Sequence, residues 1–490
     1  MASSTNRSHY QLTFVVLAVS VSAFALLQSL VTPVLAEIQI ELNTDQTTVT
    51  WVLTAYLLSA SIFTPIIGRI GDKVGKERML VVALTALAIG SLIAALATSI
   101  GPMIAARVIQ GVGGGVLPLA FGIIRDEFPD EKVPGAVGFV ASLSAVGAGV
   151  GIVLAGPIVS ALSYHWLFWL PMIVTAVAAV AAYVVIPESP VRTPGKISVL
   201  PAVLLSGWLV ALLLALSQGN SWGWGSSKTL GLIALAIVIA ILWIYVENRS
   251  ESPLIDMDMM RLPAVWTTNA VALLVGFGMY ASFGFLPQFS QTPSESGYGF
   301  GASITESGLI LLPSTITMFA VGMMSGTFVR RIGAKSVVVL GCLIVALSMA
   351  MVAFTHEYKW ELYAANAVSG AGMGLVFASL SNLILAAVPP EQTGVASGMN
   401  ANIRTIGGSI GAAVMATIVT ATLLPSGLPT ESGYTRGFAA LTIVMIGAAL
   451  VALLIPRVSR DVIEEHLVGE PEHPELGMVA GGTLVGDKSE

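Results

Sequence analysis

The feature that most constrains this chain is a series of fourteen apolar runs, each about twenty residues or longer, the length a helix needs to cross a bilayer. With 55% hydrophobic and only 10% charged residues, the composition is far from that of a soluble domain. The sequence therefore predicts an all-α, polytopic membrane protein. The predicted spans lie near 11–36, 47–69, 79–98, 102–124, 134–160, 164–186, 197–216, 228–246, 264–289, 304–328, 336–354, 360–386, 392–422 and 435–456.

The distribution of Lys and Arg predicts the orientation of the chain. If the N-terminus is inside, only three of the 22 basic residues lie in outer segments (Lys228, Lys359 and Arg436) and two lie within spans (Arg107 and Arg404). Cytoplasmic loops of membrane proteins carry an excess of positive charge. We therefore expect a multi-pass protein of the cell membrane with both termini in the cytoplasm.

A charged stretch between the second and third runs carries the most specific motif. It reads Gly68-Arg-Ile-Gly-Asp72-Lys73-Val-Gly75-Lys76-Glu-Arg78. Glycines allow a tight turn, so we predict a short basic loop between two membrane helices. The pattern G-x-x-x-D-K-x-G-K-x-R resembles the loop signature of the major facilitator superfamily, in the same place in the chain. The resemblance implies the major facilitator fold and a role in conformational switching for Gly68, Asp72, Lys73, Gly75, Lys76 and Arg78.

An internal repeat supports this resemblance. The segment Gly326-Thr-Phe-Val-Arg-Arg-Ile-Gly333-Ala-Lys matches the charged stretch at an offset of 258 residues, taken from Gly68 to Gly326. A second pair of segments, around Gly111 and Gly370, matches at 259. Parallel repeats of six spans with a substrate site between them are typical of this superfamily. We therefore predict a 6+2+6 division of the 14 transmembrane helices.

This division predicts five regions along the chain. They are a cytoplasmic N-terminus at 1–10, a six-helix bundle at 11–186, a two-helix insert with flanking loops at 187–263, a second six-helix bundle at 264–456 and a disordered cytoplasmic tail at 457–490. The tail is acidic and interrupted by Gly and Pro, a composition that does not support a packed core.

Arg107 lies inside the fourth span, where an unpaired charge would cost several kcal/mol. Arg107, Gln110, Gly111 and Gly113 resemble the superfamily motif R-x-x-Q-G-x-G, which implies a role in proton coupling. The alternative is a structural arginine that hydrogen-bonds carbonyl groups or extends to the outer surface.

The fifth span contains small residues at four-residue spacing, followed by Gly-Pro: Gly147, Gly151, Gly156 and Pro157. Small residues permit close helix crossing, and Gly-Pro permits a bend. The segment is similar to a motif associated with antiporters, although the Gly pair expected after Gly-Pro is absent. Helix packing alone is the alternative explanation.

The position of Arg404 in the thirteenth span, and the segment Trp51-Val-Leu-Thr-Ala-Tyr56 in the second, resemble the fourteen-span drug:proton antiporters. Residues of that type line or brace a central cavity. For Arg404, clamping the cytoplasmic ends of helices is an equally good interpretation. The main departure from this family is in the first span, where relatives carry an Asp and this chain has Leu27.

Without that Asp, three other carboxylates near the membrane are candidate proton carriers. They are Glu37 at the outer end of the first span, Asp126 at the inner end of the fourth and Glu306 near the outer end of the tenth. A coupling acid needs a pKa raised toward neutrality by desolvation. Glu306 has the most apolar sequence neighbourhood and is our first choice.

Aromatic and amide side chains of the spans suit a cavity for hydrophobic or amphipathic molecules. The candidate cavity residues are Gln28, Trp51, Tyr56, Asn269, Phe277, Tyr280, Gln288, Asn402 and Arg404. Many such residues face lipid or pack against helices instead.

The sequence thus predicts an exporter of drug-like compounds, exchanged for protons by alternating access. An exporter of an endogenous lipid or natural product, an uncoupled facilitator and a membrane sensor or scaffold are the alternatives. The sequence contains no G-x-x-x-x-G-K-[ST] loop of the kind that binds ATP. Its single cysteine, Cys342, cannot form a disulfide within the chain. We expect no enzymatic activity, cofactor, metal or nucleic acid, and a monomer in the lipid bilayer.

Overall fold

The computed structural model describes residues 3–31, 34–44, 46–49, 51–129, 131–188, 199–250, 253–389, 392–426 and 428–456. In these ranges fourteen helices are long and apolar enough to cross a membrane, which confirms the predicted all-α fold. The predicted tail 457–490, most of the predicted inner loop after the sixth span and the first two residues of the chain lie outside the described residues.

The fourteen helices follow the predicted spans closely. They are α1 Ser3–Leu30, α2 Trp51–Val74, α3 Lys76–Ala95, α4 Ile100–Glu127, α5 Val133–Ala161, α6 Trp166–Val185, α7 Val199–Trp222, α8 Ser227–Arg249, α9 Pro263–Gln291, α10 Ile304–Ile332, α11 Ala334–Phe354, α12 Lys359–Ala387, α13 Thr393–Val419 and α14 Glu431–Ala452. Short helices at Leu35–Glu41, Gln46–Val49 and Met257–Arg261 lie in the connections. Helix α4 tightens to a 3₁₀ turn at Val112–Gly115, where glycines pack closely against α2 and α3.

The predicted loop between the second and third spans is much shorter than expected. Helix α2 continues to Val74 and α3 begins at Lys76, so Gly75 alone forms the turn. Gly75 has a φ of 130°, a conformation that side chains other than that of glycine rarely adopt. The prediction of a loop over the whole motif is therefore wrong: Gly68, Asp72 and Lys73 lie on α2, and Lys76 and Arg78 lie on α3.

The same turn recurs at the matching position of the repeat. Gly333, with a φ of 83°, is the single residue between α10 and α11. We call the end of the molecule that carries Gly75 and Gly333 the inner end, and the opposite end the outer end. The charge distribution predicts that the inner end is cytoplasmic.

The helices pack in two groups with matching contacts. We call α1–α6 the N-half and α9–α14 the C-half. In the N-half α1 packs on α5, α2 on α4, and α3 on α4 and α6; in the C-half α9 packs on α13, α10 on α12, and α11 on α12 and α14. Between the halves α2 packs on α13 and α5 on α10. Each half buries its own apolar core, centred on residues such as Leu84 in the N-half and Val345 in the C-half.

Helices α7 and α8 form a hairpin beside the two halves. Helix α7 contacts both α2 and α13, so it covers the seam between the halves. Trp208 and Trp243 pack with their ring centroids 6.0 Å apart. Glu247 accepts hydrogen bonds from the backbone N–H groups of Leu254 and Ile255, which anchors the end of α8 to the chain that leads to α9.

Candidate functional site

Asp72 joins the two halves at the inner end. Its fully buried carboxylate accepts hydrogen bonds from the backbone N–H groups of Gly394 at 3.3 Å and Val395 at 3.2 Å. These groups belong to the first turn of α13, which begins at Thr393 and whose N–H groups lack partners within the helix. An acid at a helix N-terminus is stabilised by the helix dipole. We call this the Asp72 contact.

Glycines on both helices make this approach possible. A Cβ atom at Gly68 would lie 2.6 Å from the carbonyl oxygen of Gly394, and one at Gly394 would lie 2.8 Å from that of Gly68. Arg125 at the end of α4 adds a hydrogen bond of 2.9 Å from its Nη1 to the hydroxyl of Thr393. The α2 and α13 backbones are therefore in direct contact, and the inner end is closed along this seam.

Lys76 connects the Asp72 contact to α4. Its fully buried Nζ lies 2.7 Å from the Asp126 Oδ2 and 3.9 Å from the Asp72 Oδ1. Asp126, predicted as a proton carrier, is thus held in a buried ion pair in this conformation. Arg78 is exposed and forms an ion pair with Glu188 at the surface.

The matching residues of the repeat do not form an equivalent contact between α5 and α10, the second pair of helices that joins the halves. At the position of Asp72 the C-half carries Arg330, which is exposed and donates to the Thr327 hydroxyl on its own helix. A Cβ atom at Gly326, or at Gly135 near the start of α5, would meet no atom within 4 Å in the described structure. The two seams therefore differ, and α2 and α13 make the closer contact at the inner end.

Arg107 is completely buried in the N-half. Its Nε donates to the carbonyl of Val52 at 2.9 Å, and its Nη1 donates to the Gln110 Oε1 at 2.7 Å. The guanidinium carbon lies 4.3 Å from the centroid of the Tyr56 ring, within range of a cation–π interaction. Gln110 in turn donates to the hydroxyl of Ser91 at 3.0 Å. Arg107 Nη2 and the Tyr56 hydroxyl are buried without a hydrogen-bond partner in the described structure.

Arg404 lies between the halves, about three turns along α13 from the Asp72 contact. Its guanidinium carbon lies 4.8 Å from the centroid of the Phe377 ring on α12. A narrow cavity adjoins it, lined from the N-half by α4 and from the C-half by α12 and α13. Ser397 and Asn400 line the same cavity. The role of Arg404 in a substrate cavity stays a prediction.

Two of the predicted cavity amides make helix contacts in this conformation. Asn269 accepts a hydrogen bond of 2.8 Å from Asn400, which links α9 to α13. Asn402 donates to the carbonyl of Ser61 at 2.6 Å, which links α13 to α2 across the seam. Both side chains are buried.

The remaining predicted cavity residues are less closely grouped. Tyr280 lies beside α13, where a Cβ at Gly408 would meet its ring. Phe277 packs against the core of the C-half. Gln28 and Trp51 are half-buried, and Gln288 is exposed near the outer end of α9.

The expectation of an apolar neighbourhood for Glu306 is wrong. Glu306 lies in the first turn of α10, is 38% exposed, and its Oε1 is 2.5 Å from the Nζ of Lys359. A sequence window cannot reveal this lysine, which is 53 residues away in the chain. Glu37 is exposed in the short helix after α1. The proton-coupling roles of Arg107, Glu306, Glu37 and Asp126 stay predictions.

The glycines of the fifth span serve two helix contacts. A Cβ at Gly147 would lie 2.8 Å from the Cβ of Ala25, and one at Gly151 would meet Ser29, both on α1. A Cβ at Gly156 would lie 2.6 Å from the Thr305 Oγ1 on α10. Pro157 lies inside α5, which remains helical to Ala161. Close packing on both sides accounts for these glycines, and the antiporter role stays a prediction.

Sequence reasoning missed several residues of the two sites. Gly394 and Thr393 of the Asp72 contact, and Ser397 and Asn400 of the cavity, were not singled out. The spacing of Ser397, Asn400 and Arg404 at i, i+3 and i+7 could have revealed them, because it places all three on one face of a helix.

Comparison with known proteins agrees with this architecture. The chain is 28% identical over 379 residues to the multidrug transporter protein MdtP of Bacillus subtilis, covering 76% of this chain and 68% of that protein. It is 28% identical over 421 residues to the tetracenomycin C resistance and export protein of Streptomyces glaucescens, covering 83% and 75%. The crystal structure of the human organic anion transporter MFSD10 superposes with a TM-score of 0.65 at 16% identity, covering 91% of this chain and 99% of that one. The sequence matches the Major Facilitator Superfamily over residues 17–412, and the chain therefore belongs to this superfamily of membrane transporters.

Proposed function

We propose that this protein exports small amphipathic molecules across the cell membrane in exchange for protons, by alternating access of its two halves. The Asp72 contact carries the proposal, because it closes the inner end through groups that can separate without breaking a helix. Relatives named for multidrug transport and for tetracenomycin C resistance and export support export as the direction of transport.

In this mechanism the present conformation corresponds to a closed inner end. Opening requires Asp72 to leave the first turn of α13, while Lys76 stays paired with Asp126 within the N-half. Cargo then enters the cavity between α4, α12 and α13 from the cytoplasm. Closure of the same contact releases cargo toward the outer end.

Proton exchange is assigned to a carboxylate that takes up and releases the proton as it approaches and leaves the buried Arg107 in successive conformations. The candidates are Glu306, Glu37 and Asp126. Arg107 and Tyr56 each have one polar atom without a partner, so the network can accept a water molecule or an acidic group of a second conformation. A fixed cation favours the charged form of any acid that approaches it. The acid would therefore release its proton when it pairs with Arg107 and bind a proton again when it moves away.

An uncoupled facilitator is the second candidate, and Leu27 favours it. The side chain is fully buried among apolar residues of the N-half core, at the position where the related antiporters carry an Asp. Export of an endogenous natural product or lipid by the same cycle is a variant of the first proposal, and it differs only in cargo.

The test is proton movement in proteoliposomes that enclose a pH-sensitive dye. A panel of hydrophobic cations, neutral amphiphiles and amphipathic acids is added to the intact protein and to Arg107→Gln, Arg107→Lys and Glu306→Gln. We expect cargo-dependent proton flux in the intact protein and its loss in Arg107→Gln. Arg261→Gln is the matched control, since that side chain is 68% exposed in a surface helix.

Thermal stability of each variant in detergent separates misfolding from loss of coupling. Cargo movement without proton flux in the intact protein would establish the facilitator instead. Proton flux that persists in both Arg107 variants would move the coupling site elsewhere, with Glu37 and Asp126 as the next candidates. A complete lack of cargo movement across the panel contradicts export.

A further inference from the structure

The cavity beside Arg404 lies between the two halves, next to the Asp72 contact. One wall comes from α4 of the N-half, with Pro118 and Phe121, and the other comes from α12 and α13 of the C-half. Ser397 follows Gly394 by less than one helical turn, so the cavity lies directly beyond the Asp72 contact. Separation of the halves at that contact would widen it.

One face of α13 supplies the polar groups of this cavity. Ser397, Asn400 and Arg404 are spaced at i, i+3 and i+7 and all line it. Phe377 and Ser381 are spaced at i and i+4 on α12; the Phe377 ring lies against the Arg404 guanidinium, and Ser381 is among the residues that line the cavity. The cavity therefore combines a cation, hydroxyl and amide groups, and aromatic surface.

The polar groups of this face are incompletely satisfied. In the described structure the Arg404 guanidinium forms no ion pair and no hydrogen bond, and its contact is the Phe377 ring. Ser397 is 7% exposed, and its hydroxyl is buried without a hydrogen-bond partner. Buried polar groups are normally hydrogen-bonded, and an unpaired cation within a membrane span is costly. The buried Ser397 hydroxyl and the half-buried, unpaired Arg404 guanidinium can both donate to an acceptor placed in the cavity.

We propose that the cargo carries an anionic group, a carboxylate or another ionised oxygen acid, which Arg404 binds together with Ser397 and Asn400. This inference rests on the proposed export and specifies its substrate class. A guanidinium presents planar donors that match a carboxylate. The Ser397 hydroxyl can supply a further donor, as can the second N–H of the Asn400 amide group, which also donates to Asn269. The apolar part of the cargo would lie against apolar residues that line the cavity, namely Phe121, Leu117 and Ile384.

The charge of the cavity excludes a simple cationic cargo at this position. In the described residues of α1–α6 and α9–α14, the charged side chains that lie away from the helix ends are Arg107 and Arg404, and both are cations. A cationic cargo would meet like charge without a nearby carboxylate to offset it. Exit of an anion is also favoured by an inside-negative membrane potential.

The experiment uses three probes that share one fluorophore. They are dansylglycine, which is a carboxylate, its methyl ester, and dansyl-ethylenediamine, which is an ammonium ion. Binding to the full-length protein in lipid nanodiscs is measured by energy transfer from tryptophan, with empty nanodiscs subtracted. Transport of each of the three probes is measured in everted membrane vesicles.

We expect the carboxylate to bind at least about tenfold more tightly than the ester, as charge-assisted hydrogen bonds predict. Arg404→Gln should reduce that ratio to about one and leave the ester affinity unchanged. Arg404→Lys should keep part of the ratio, because a lysine retains the charge without the planar donors. Arg436→Gln, in an exposed position at the outer end of α14, is the control and should change nothing.

Any of three results would overturn the inference. The ester or the ammonium probe could bind as tightly as the carboxylate, or Arg404→Gln could weaken all three probes equally, as a purely structural arginine would. If the ammonium probe alone is transported, export stands and the anionic class fails. If the carboxylate shows the expected binding ratio but is not transported, the site stands and the proposed export fails.

Discussion

Replacing Asp72 with Asn is expected to open the inner end of the protein. The carboxylate holds two N–H groups of α13 at 3.2 and 3.3 Å, at the long end of hydrogen-bond distances. Asn keeps the size and one acceptor oxygen but loses the charge and its interaction with the helix dipole. Hydrogen bonds to charged groups contribute about 1.5–3 kcal/mol each and the dipole adds up to about 1 kcal/mol. Allowing for the long distances and the remaining acceptor, we expect a net loss of about 1–2 kcal/mol, which shifts the equilibrium about 5- to 30-fold.

The Asp72→Asn substitution leaves the neighbouring ion pair of Lys76 intact. Lys76 keeps its ion pair with Asp126 at 2.7 Å when Asp72 is neutralised, so no buried lysine loses its partner. The expected effect is therefore on the contact between the halves and not on the packing of the N-half.

The assay is the rate at which maleimide labels a cysteine at position 397 from the inner side, in everted vesicles. Ser397→Cys is placed in a Cys342→Ala background, and residue 397 is 7% exposed while the inner end is closed. Asp72→Asn should raise the labelling rate at least fivefold. Asp258→Asn is the matched control, since that carboxylate is 90% exposed in the short helix Met257–Arg261. An unchanged or slower rate in Asp72→Asn would refute the role of the Asp72 contact.

Three further substitutions test the same region. Gly68→Val should raise labelling of residue 397 without any change of charge, because a Cβ there lies 2.6 Å from a backbone oxygen; normal labelling would contradict the close approach. Gly75→Ala should reduce the free energy of unfolding by about 1–3 kcal/mol, because alanine is strained at a φ of 130°, and so lower the melting temperature. Gly101→Ala, on α4 where a Cβ atom meets no other atom within 4 Å, is the control and should not lower it. Lys76→Met should reduce the free energy of unfolding by about 3–5 kcal/mol, because it leaves buried carboxylates without a positive partner. The double variant Lys76→Met/Asp126→Asn should recover part of this loss. Equal stability of the single and double variants would argue against the ion pair.

Most of the fold could be predicted because a bilayer imposes a simple requirement on each span. About twenty apolar residues must be helical to satisfy the backbone, so span number and helix type follow from local composition. The repeat was visible for a similar reason, since Gly75 and Gly333 occupy turns that need a positive φ. The extent of the helices at the Gly75 turn was not predicted, because glycines and charges next to a turn do not reveal whether a helix continues through them.

The candidate sites were predicted only in part. Arg107 and Arg404 stood out because charge within an apolar run is rare and costly. The partners of Glu306 and Asp72 could not be predicted, because Lys359 and Gly394 are distant in the chain and enter the neighbourhood only when helices pack. Apolar sequence neighbours say nothing about a charge on an adjacent helix.

The amino-acid sequence was sufficient for the all-α membrane fold, the fourteen spans, the repeat and the resemblance to the superfamily. These depend on hydrophobic length, charge placement and backbone conformation, all of which are local properties. The tertiary structure alone decided that Asp72 caps α13 across the seam and that Ser397, Asn400 and Arg404 share a cavity wall with α4. It also showed that the two seams differ at the inner end. Those features depend on which helix faces meet, and that is set by the packing of side chains far apart in the chain.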